Sequence, residues 1–202
     1  MSAWRDAGIA AVVLAAGGSG RMGEPKLLLP HPADGAPLLR HSVGGVLALE
    51  PLEVVVVLRH DLPALGDALT GLTVRPVPNP DFAEGMSTSL RAALAALTPE
   101  AEAALVVLGD TPDVPASVFA ALLSAYLAAR RRITISVYGD ISAPPTIFSR
   151  AAFPALASLT GDQGGRRAAS LHPEWVERVE FPAEMMPADV DTRGDYEKLR
   201  GG

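Results

Sequence analysis

Residues 9–16, 54–58 and 103–108 are three short, nearly unbroken apolar runs, rich in valine and leucine and each followed by glycine or arginine. A strand with one face in water alternates apolar and polar side chains. A run without that alternation has no wet face, so each of the three reads as a strand covered on both sides. The cover lies in the sequence between them. Leu39, Val43, Val46 and Leu47 recur at i, i+4, i+7 and i+8, and Leu90, Ala93, Leu94 and Leu97 at i, i+3, i+4 and i+7, which is the period of an amphipathic helix. Strands alternating with helices predict an α/β fold around a parallel sheet.

The second half of the chain reads less evenly. Val118, Phe119, Leu122, Leu123, Tyr126 and Leu127 form the broadest apolar stripe. Pro115 stands where a first helical turn tolerates it, and Arg130, Arg131 and Arg132 come where the helix dipole favours cations. Ile133, Ile135 and Val137 alternate with polar residues, which predicts a strand half-exposed or near a sheet edge. Pro144-Pro145 is expected to break the chain before Thr146-Ile147-Phe148, and Pro173, Pro182 and Pro187 to interrupt the C-terminal stretch. A last strand is expected to end near Val190, with Asp191 or Thr192 capping a short final helix that ends at Leu199.

At 202 residues and 49% hydrophobic content, the chain has the size of one domain, residues 1–202, with enough apolar material for a core. Cysteine is absent. That excludes disulfides, thiolate metal ligands and a cysteine nucleophile, and allows a reducing cytoplasm. A net charge of −6 argues against nucleic acid as a partner, because affinity for its backbone comes from clustered cations. No apolar stretch approaches the ~20 residues of a membrane span, and residues 1–6 lack the order of a secretory signal. A cytoplasmic protein without membrane contact is expected.

Chemistry enters where the first run ends, at Leu14-Ala15-Ala16-Gly17-Gly18-Ser19-Gly20-Arg21-Met22-Gly23-Glu24-Pro25-Lys26. Glycines let backbone N–H groups converge on an anion without Cβ obstruction, and Arg21 and Lys26 add two cations to the same loop. By composition this is a phosphate cradle, with a plain chain reversal as the competing reading. Gly18 to Gly23 also fits the G-x-G-x-x-G of dinucleotide-binding folds. Pro25 argues against a helix opening there, and the second run ends in Leu58-Arg59-His60 without an acidic ribose ligand. Glu24 after Gly23 excludes a Walker loop.

Residues 14–26 resemble the signature loop of nucleotidyltransferases of the molybdenum-cofactor type, the MobA-like NTP transferases, and in particular that of molybdopterin cytidylyltransferases. Asn79 to Leu90 is similar to the family's asparagine and glycine-methionine-serine segment, and Leu108-Gly109-Asp110-Thr111-Pro112 to its metal motif. Gly161 to Arg166 and Asp189-Val190-Asp191-Thr192 are similar to later family loops, so the resemblance spans nearly the whole chain. It implies one Rossmann-like domain with a mixed, mostly parallel sheet and helices on both faces. It also implies Mg²⁺-dependent transfer of CMP from CTP, or of another nucleotide from its triphosphate, to the phosphate of a pterin acceptor, molybdopterin. Pyrophosphate would leave, and a molybdoenzyme would be an eventual partner.

Under that resemblance Leu14, Ala15, Ala16, Gly17, Gly18, Ser19, Gly20, Arg21 and Lys26 bind the triphosphate. Arg21, Lys26 and Asp110 would be the catalytic groups, stabilising charge on the departing pyrophosphate. Asp110 follows an apolar strand, at the carboxyl edge where open α/β sheets bind ligands. Asp191 would complete the carboxylate pair for Mg²⁺, with Asp189 in reserve and helix capping as the alternative. The attacking phosphate is already ionised near neutral pH, so no side-chain base is needed. Asn79, Gly85 and one hydroxyl among Ser87, Thr88 and Ser89 are expected against base or ribose, with capping as a simultaneous role. Asp162 and Arg166 are assigned to the acceptor, with a solvated arginine as the alternative for Arg166. His31, His41, His60 and His172 show no ligand spacing and read as ordinary polar or surface residues.

Two positions depart from the family pattern: Thr111 stands where glutamine is expected, and Ala143-Pro144-Pro145 where glycine-histidine-proline is expected. Both bear on the acceptor more than on the triphosphate. Ala15-Ala16-Gly17 resembles the cytidylyl type, whereas the guanylyl type tends to have glycine at Ala16 and aspartate at Pro25. The rival readings are a guanylyl- or sugar-phosphate nucleotidyltransferase on the same fold and a non-catalytic carrier of the molybdenum cofactor. Retention of Arg21, Lys26, Asp110 and Asp191 together argues against a carrier.

Overall fold

The computed structural model describes residues 2–17 and 23–201. Its strands are β1 (Ile9–Ala15), β2 (Val54–Arg59), β3 (Arg75–Asn79), β4 (Ala103–Leu108), β5 (Ile133–Tyr138), β6 (Ile141–Ser149) and β7 (Val176–Phe181). They form one sheet in the order β3-β2-β1-β4-β6-β5-β7. All pairings are parallel except those of β6, which runs against β4 and β5. The helices are α1 (Ala3–Asp6), α2 (Leu38–Leu47), α3 (Ala64–Asp67), α4 (Met86–Ala96), α5 (Ala116–Ala129), α6 (Phe153–Ala157), α7 (Gly165–Leu171) and α8 (Arg193–Gly201).

The three apolar runs are the adjacent strands β2, β1 and β4, and every residue of β1 is buried. Side chains alternate across a strand, so Ala11, Val13 and Ala15 meet the side covered by α2, α3 and α5, while Val12, Leu14 and Ala16 meet the side covered by α4, α6 and α7. Two cores on one sheet explain why these strands carry no polar alternate. The stripe on α5 is used as expected: Val118, Phe119, Leu122 and Leu123 are buried, and the helix ends at Arg130 in the left-handed conformation, φ 52°.

Three expectations for the second half need correction. β5 lies next to the edge strand β7, but it is not half-exposed: all six of its residues are buried. Its polar alternates are small, and Ser136 donates to the carbonyl of Pro145 at 2.8 Å, so burial does not leave that hydroxyl unpaired. Pro144-Pro145 does not break the chain, since β6 continues through it with a cis Pro144–Pro145 peptide. The β5–β6 register shifts between Ile135 and Ser136, and this irregularity accommodates residues without an N–H. The last strand ends at Phe181, and Val190 belongs to no strand. Val190 is fully buried, and its N–H donates to the carbonyl of Asp110 at 3.2 Å.

Thr192, not Asp191, caps the final helix, which ends at Gly201 beyond Leu199. Its hydroxyl accepts from the Asp195 N–H while its own N–H donates to the Asp195 carboxylate, a reciprocal box. No helix among the described residues is long and apolar enough to cross a membrane.

Candidate active site

Parallel pairing brings the carboxyl ends of β1 and β4 side by side. β1 leads into Ala16 and Gly17, which edge a cleft. Gly18, Ser19, Gly20 and Arg21 lie outside the described residues. Beyond them Gly23 takes a positive φ of 71°, and Pro25 is extended and precedes a single 3-10 turn, Lys26–Leu28. That turn buries Lys26 and aims it across the cleft.

Asp110 is placed by close backbone contacts. The Gly109 N–H donates to the Leu14 carbonyl at 2.9 Å, and a Cβ on Gly109 would stand 3.0 Å from that of Ala15. The buried Ser42 hydroxyl donates to the Gly109 carbonyl at 2.7 Å, and Val190 holds the Asp110 carbonyl from the other side. Lys26 Nζ then stands 2.6 Å from Asp110 Oδ2 and 2.6 Å from Asp191 Oδ1. One ammonium joins three segments that are far apart in the chain.

Carboxylate oxygens of Asp110, Asp189 and Asp191 all lie within 4.8 Å of one another. Among the described residues, three carboxylates gather around one ammonium. Burial alone would lower the Lys26 pKa, but the charges and hydrogen bonds of Asp110 and Asp191 outweigh it and raise it. Partial burial of the Asp189 carboxyl, then the charges of Asp110 and Asp191, push Asp189 up to about 6. Asp110 Oδ1 is buried with no hydrogen-bond donor among the described residues; a protonated Asp189 can supply one, an ionised Asp189 cannot. This oxygen-only donor set, with one buried carboxylate oxygen that has no partner among the described residues, fits a hard divalent cation that takes its remaining ligands from phosphate and water.

The cleft has two adjoining compartments. The smaller, about 210 Å³, is lined by Leu14, Ala15, Ala16, Gly17, Lys26, Gly85, Ser89, Asp110 and others. The larger, about 720 Å³, has apolar walls from Met86, Ile135 and Phe148, with Arg166, Arg167 and Arg178 around it. Leu14, Met86, Leu108 and Asp162 border both. The compartments meet at a backbone contact: Gly85, at φ 112°, is so close to Gly161 that a Cβ there would fall 2.3 Å from the Gly161 carbonyl carbon. The Ser87 N–H donates to the Gly161 carbonyl at 3.0 Å.

Not every expected residue reaches the cleft. Asn79 is buried beneath α4, where its amide donates to Thr88 and Ser89 at 2.9 and 3.0 Å and its carbonyl accepts from the Asp81 N–H. It therefore holds the start of α4 and does not line either compartment. Ser87 also lies off the cleft, its hydroxyl buried without a partner among the described residues. Sequence reading missed Arg167 and Arg178. Arg167 is adjacent to a matched loop, whereas nothing in the sequence around Arg178 signals a site. It also missed a pairing among the histidines. His60 is exposed and His172 stacks on Trp175, but His31 is buried and stacks on His41 with ring centroids 3.7 Å apart.

A family model described as "MobA-like NTP transferase domain" matches residues 11–176. The chain is 37% identical over 115 residues to the bifunctional protein GlmU of Sphingopyxis alaskensis, covering 57% of this chain and 25% of that protein. It thus spans about a quarter of the length of that curated relative. Among solved structures, Rv0371c from Mycobacterium tuberculosis H37Rv superposes with a TM-score of 0.85 at 30% identity, covering 96% and 97% of the two chains. A structure of Rv0371c in complex with manganese gives 0.80 at 28% identity, covering 96% and 98%.

Proposed function

Because the chain belongs to the MobA-like NTP transferase family of nucleotidyltransferases, we propose that it transfers CMP from CTP to the phosphate of molybdopterin and releases pyrophosphate. The observation that carries this reading is Lys26 lodged 2.6 Å from both Asp110 and Asp191 at the edge of a glycine-bordered compartment. A buried cation between paired carboxylates, next to a glycine-rich loop, is the equipment needed to gather and neutralise a polyphosphate.

In the proposed reaction an oxygen of the acceptor phosphate attacks the α-phosphorus of CTP. The new P–O bond forms as the bond to the β-phosphate breaks, and pyrophosphate leaves with that electron pair. Asp110 and Asp191, with Asp189 beside them, would hold a Mg²⁺ or Mn²⁺ ion, which when bound supplies charge neutralisation at the phosphates. Lys26, Arg21 and the amides near Gly17 bind the triphosphate and stabilise charge on the leaving group. Ala15 and Ala16 leave the nucleotide compartment small, which favours a pyrimidine. The larger compartment, with apolar walls and polar groups at its border, supports a flat acceptor body with its phosphate toward Asp162 and Arg166. Ala143 and Pro144 line that compartment, so this departure from the family pattern lies in the space proposed for the acceptor.

Pyrophosphate release measured with each of the four common triphosphates, with molybdopterin or a hexose 1-phosphate as acceptor and a divalent ion present, tests the reading. CTP with molybdopterin is expected to give the highest kcat/KM. A preference for GTP would replace the cytidylyl assignment with a guanylyl one, and release with the sugar phosphate alone would replace the acceptor. Absence of release with every pair would favour a carrier.

A further inference from the structure

We infer that His31 and Asp113 are a positioning pair that keeps the Lys26 turn and the Asp110 turn in register, so that Asp110 stays placed to bind the catalytic cation when Lys26 leaves it. The inference rests on the reading of Asp110 and Asp191 as the cation site. Lys26 and His31 lie at either end of one short segment, Asp110 and Asp113 at either end of another. The two segments are therefore fastened twice, by Lys26 to Asp110 at 2.6 Å and by His31 Nε2 to Asp113 Oδ2 at 3.1 Å. The first fastening uses the groups that a triphosphate and a divalent ion compete for. The second uses neither.

His31 is held more firmly than a space-filling residue needs. The Ala33 N–H donates to its Nδ1 at 3.2 Å, which leaves the proton of the neutral ring on Nε2, pointing at Asp113. His41 stacks on its ring, and His41 Nε2 is 2.8 Å from Asp34 Oδ1, which also accepts the Ala36 N–H. The Tyr196 hydroxyl donates to the neighbouring Pro30 carbonyl at 2.7 Å. His31, His41 and Asp113 have the composition of a metal site, but their geometry opposes one. The rings are nearly parallel, 20° apart and 3.7 Å between centroids, so an ion in the plane of one lies well out of the plane of the other. In addition, Nδ1 of His31 is already accepting a hydrogen bond. The arrangement suits a directed Nε2–H donor, and reacting groups need to be held within about 0.5 Å to be effective.

Mn²⁺ binding, followed through the electron paramagnetic resonance signal of the free ion well below the melting temperature, needs no substrate. Asp110→Asn is expected to abolish the tight Mn²⁺ equivalent. His31→Leu and Asp113→Ala are each expected to weaken Mn²⁺ binding about tenfold and to lower kcat more than they raise the KM for CTP. His31→Gln, which can place an N–H near the Nε2 position, should recover most of the affinity. The double variant His31→Leu/Asp113→Ala should be no worse than either single one, because the two act through one contact. Loss of melting temperature with unchanged Mn²⁺ affinity, or additive losses in the double variant, would overturn the pairing while leaving the cation site intact. Tight Mn²⁺ binding that survives Asp110→Asn would overturn the cation site itself, and the pairing with it.

Discussion

The two compartments of the cleft are built by different means. On the side proposed for the nucleotide, Lys26, Asp110 and Asp191 come from three distant segments and are tied by charge across 2.6 Å contacts, with Lys26 buried, Asp110 largely so and Asp191 still 41% exposed. On the acceptor side, the walls are apolar, and the arginines that carry charge, Arg166 and Arg167, are exposed. Leu14, Met86, Leu108 and Asp162 border both compartments, and the close Gly85–Gly161 backbone contact sets the segments that carry Met86 and Asp162 against each other. Electrostatics thus fixes the half of the cleft where phosphates would react, and shape fixes the half that would select an acceptor.

The largest expected effect comes from removing charge beside Lys26. Asp110→Asn should keep its fold and lose about 10²- to 10³-fold in kcat/KM for pyrophosphate release, the scale of deleting one preorganised electrostatic contact. Near-normal turnover in the folded variant would break the contrast at its strongest point. Next comes the Gly85–Gly161 contact. Gly85→Ala forces a Cβ onto the Gly161 peptide at a φ that L-residues rarely adopt, so a stability loss of about 1–3 kcal/mol by chemical denaturation is expected. Both CTP and acceptor KM values should rise together, since one backbone contact shapes both compartments.

A smaller effect separates the two sides. Arg166→Ala should raise the acceptor KM about tenfold, a change of about 1.4 kcal/mol, while the KM for CTP stays put. Equal effects on both would mean that the arginine serves the triphosphate. The smallest effect is a pH signature of the crowded carboxylates. Folding favours the protonated form of Asp189, whose pKa of about 6 exceeds the ~3.9 of an unfolded aspartate. Its stabilising contribution is therefore full below about pH 4 and lost as pH rises through 6. In chelator, Asp189→Asn should match wild type near pH 4 and melt at a higher temperature than wild type at pH 7. The difference should be under ~1 kcal/mol because Asp189 is exposed and screened, roughly 2–4 °C for a domain of this size.

How well each region could be read from sequence obeys the same division. β1, β2 and β4 were plain because double-sided burial removes every polar alternate, and Asp110 and Lys26 were plain because they sit in or beside a glycine loop and a strand end. β6 was hidden by Pro144-Pro145, since local propensity opposes a strand that the sheet nevertheless imposes through a register shift. Val190 suggested a strand because full burial looks alike in a strand and in a loop anchored to the Asp110 carbonyl. Asn79 resembled a ligand-binding residue, yet its amide is satisfied by Thr88 and Ser89. The pairing of His31 with Asp113 joins residues 82 positions apart, and no local pattern encodes it.

Lys26 gives the resting cleft one further property. Its ammonium already sits against two carboxylates, so loading the proposed site would be an exchange of ions, in which a tethered monovalent ion is displaced by a free divalent one. The net affinity would then be set by the difference between the two. In the proposed reaction a polyphosphate would add its own oxygens to a divalent ion already bound at the carboxylates, so ion and pyrophosphate would tend to leave together at the end of each turnover.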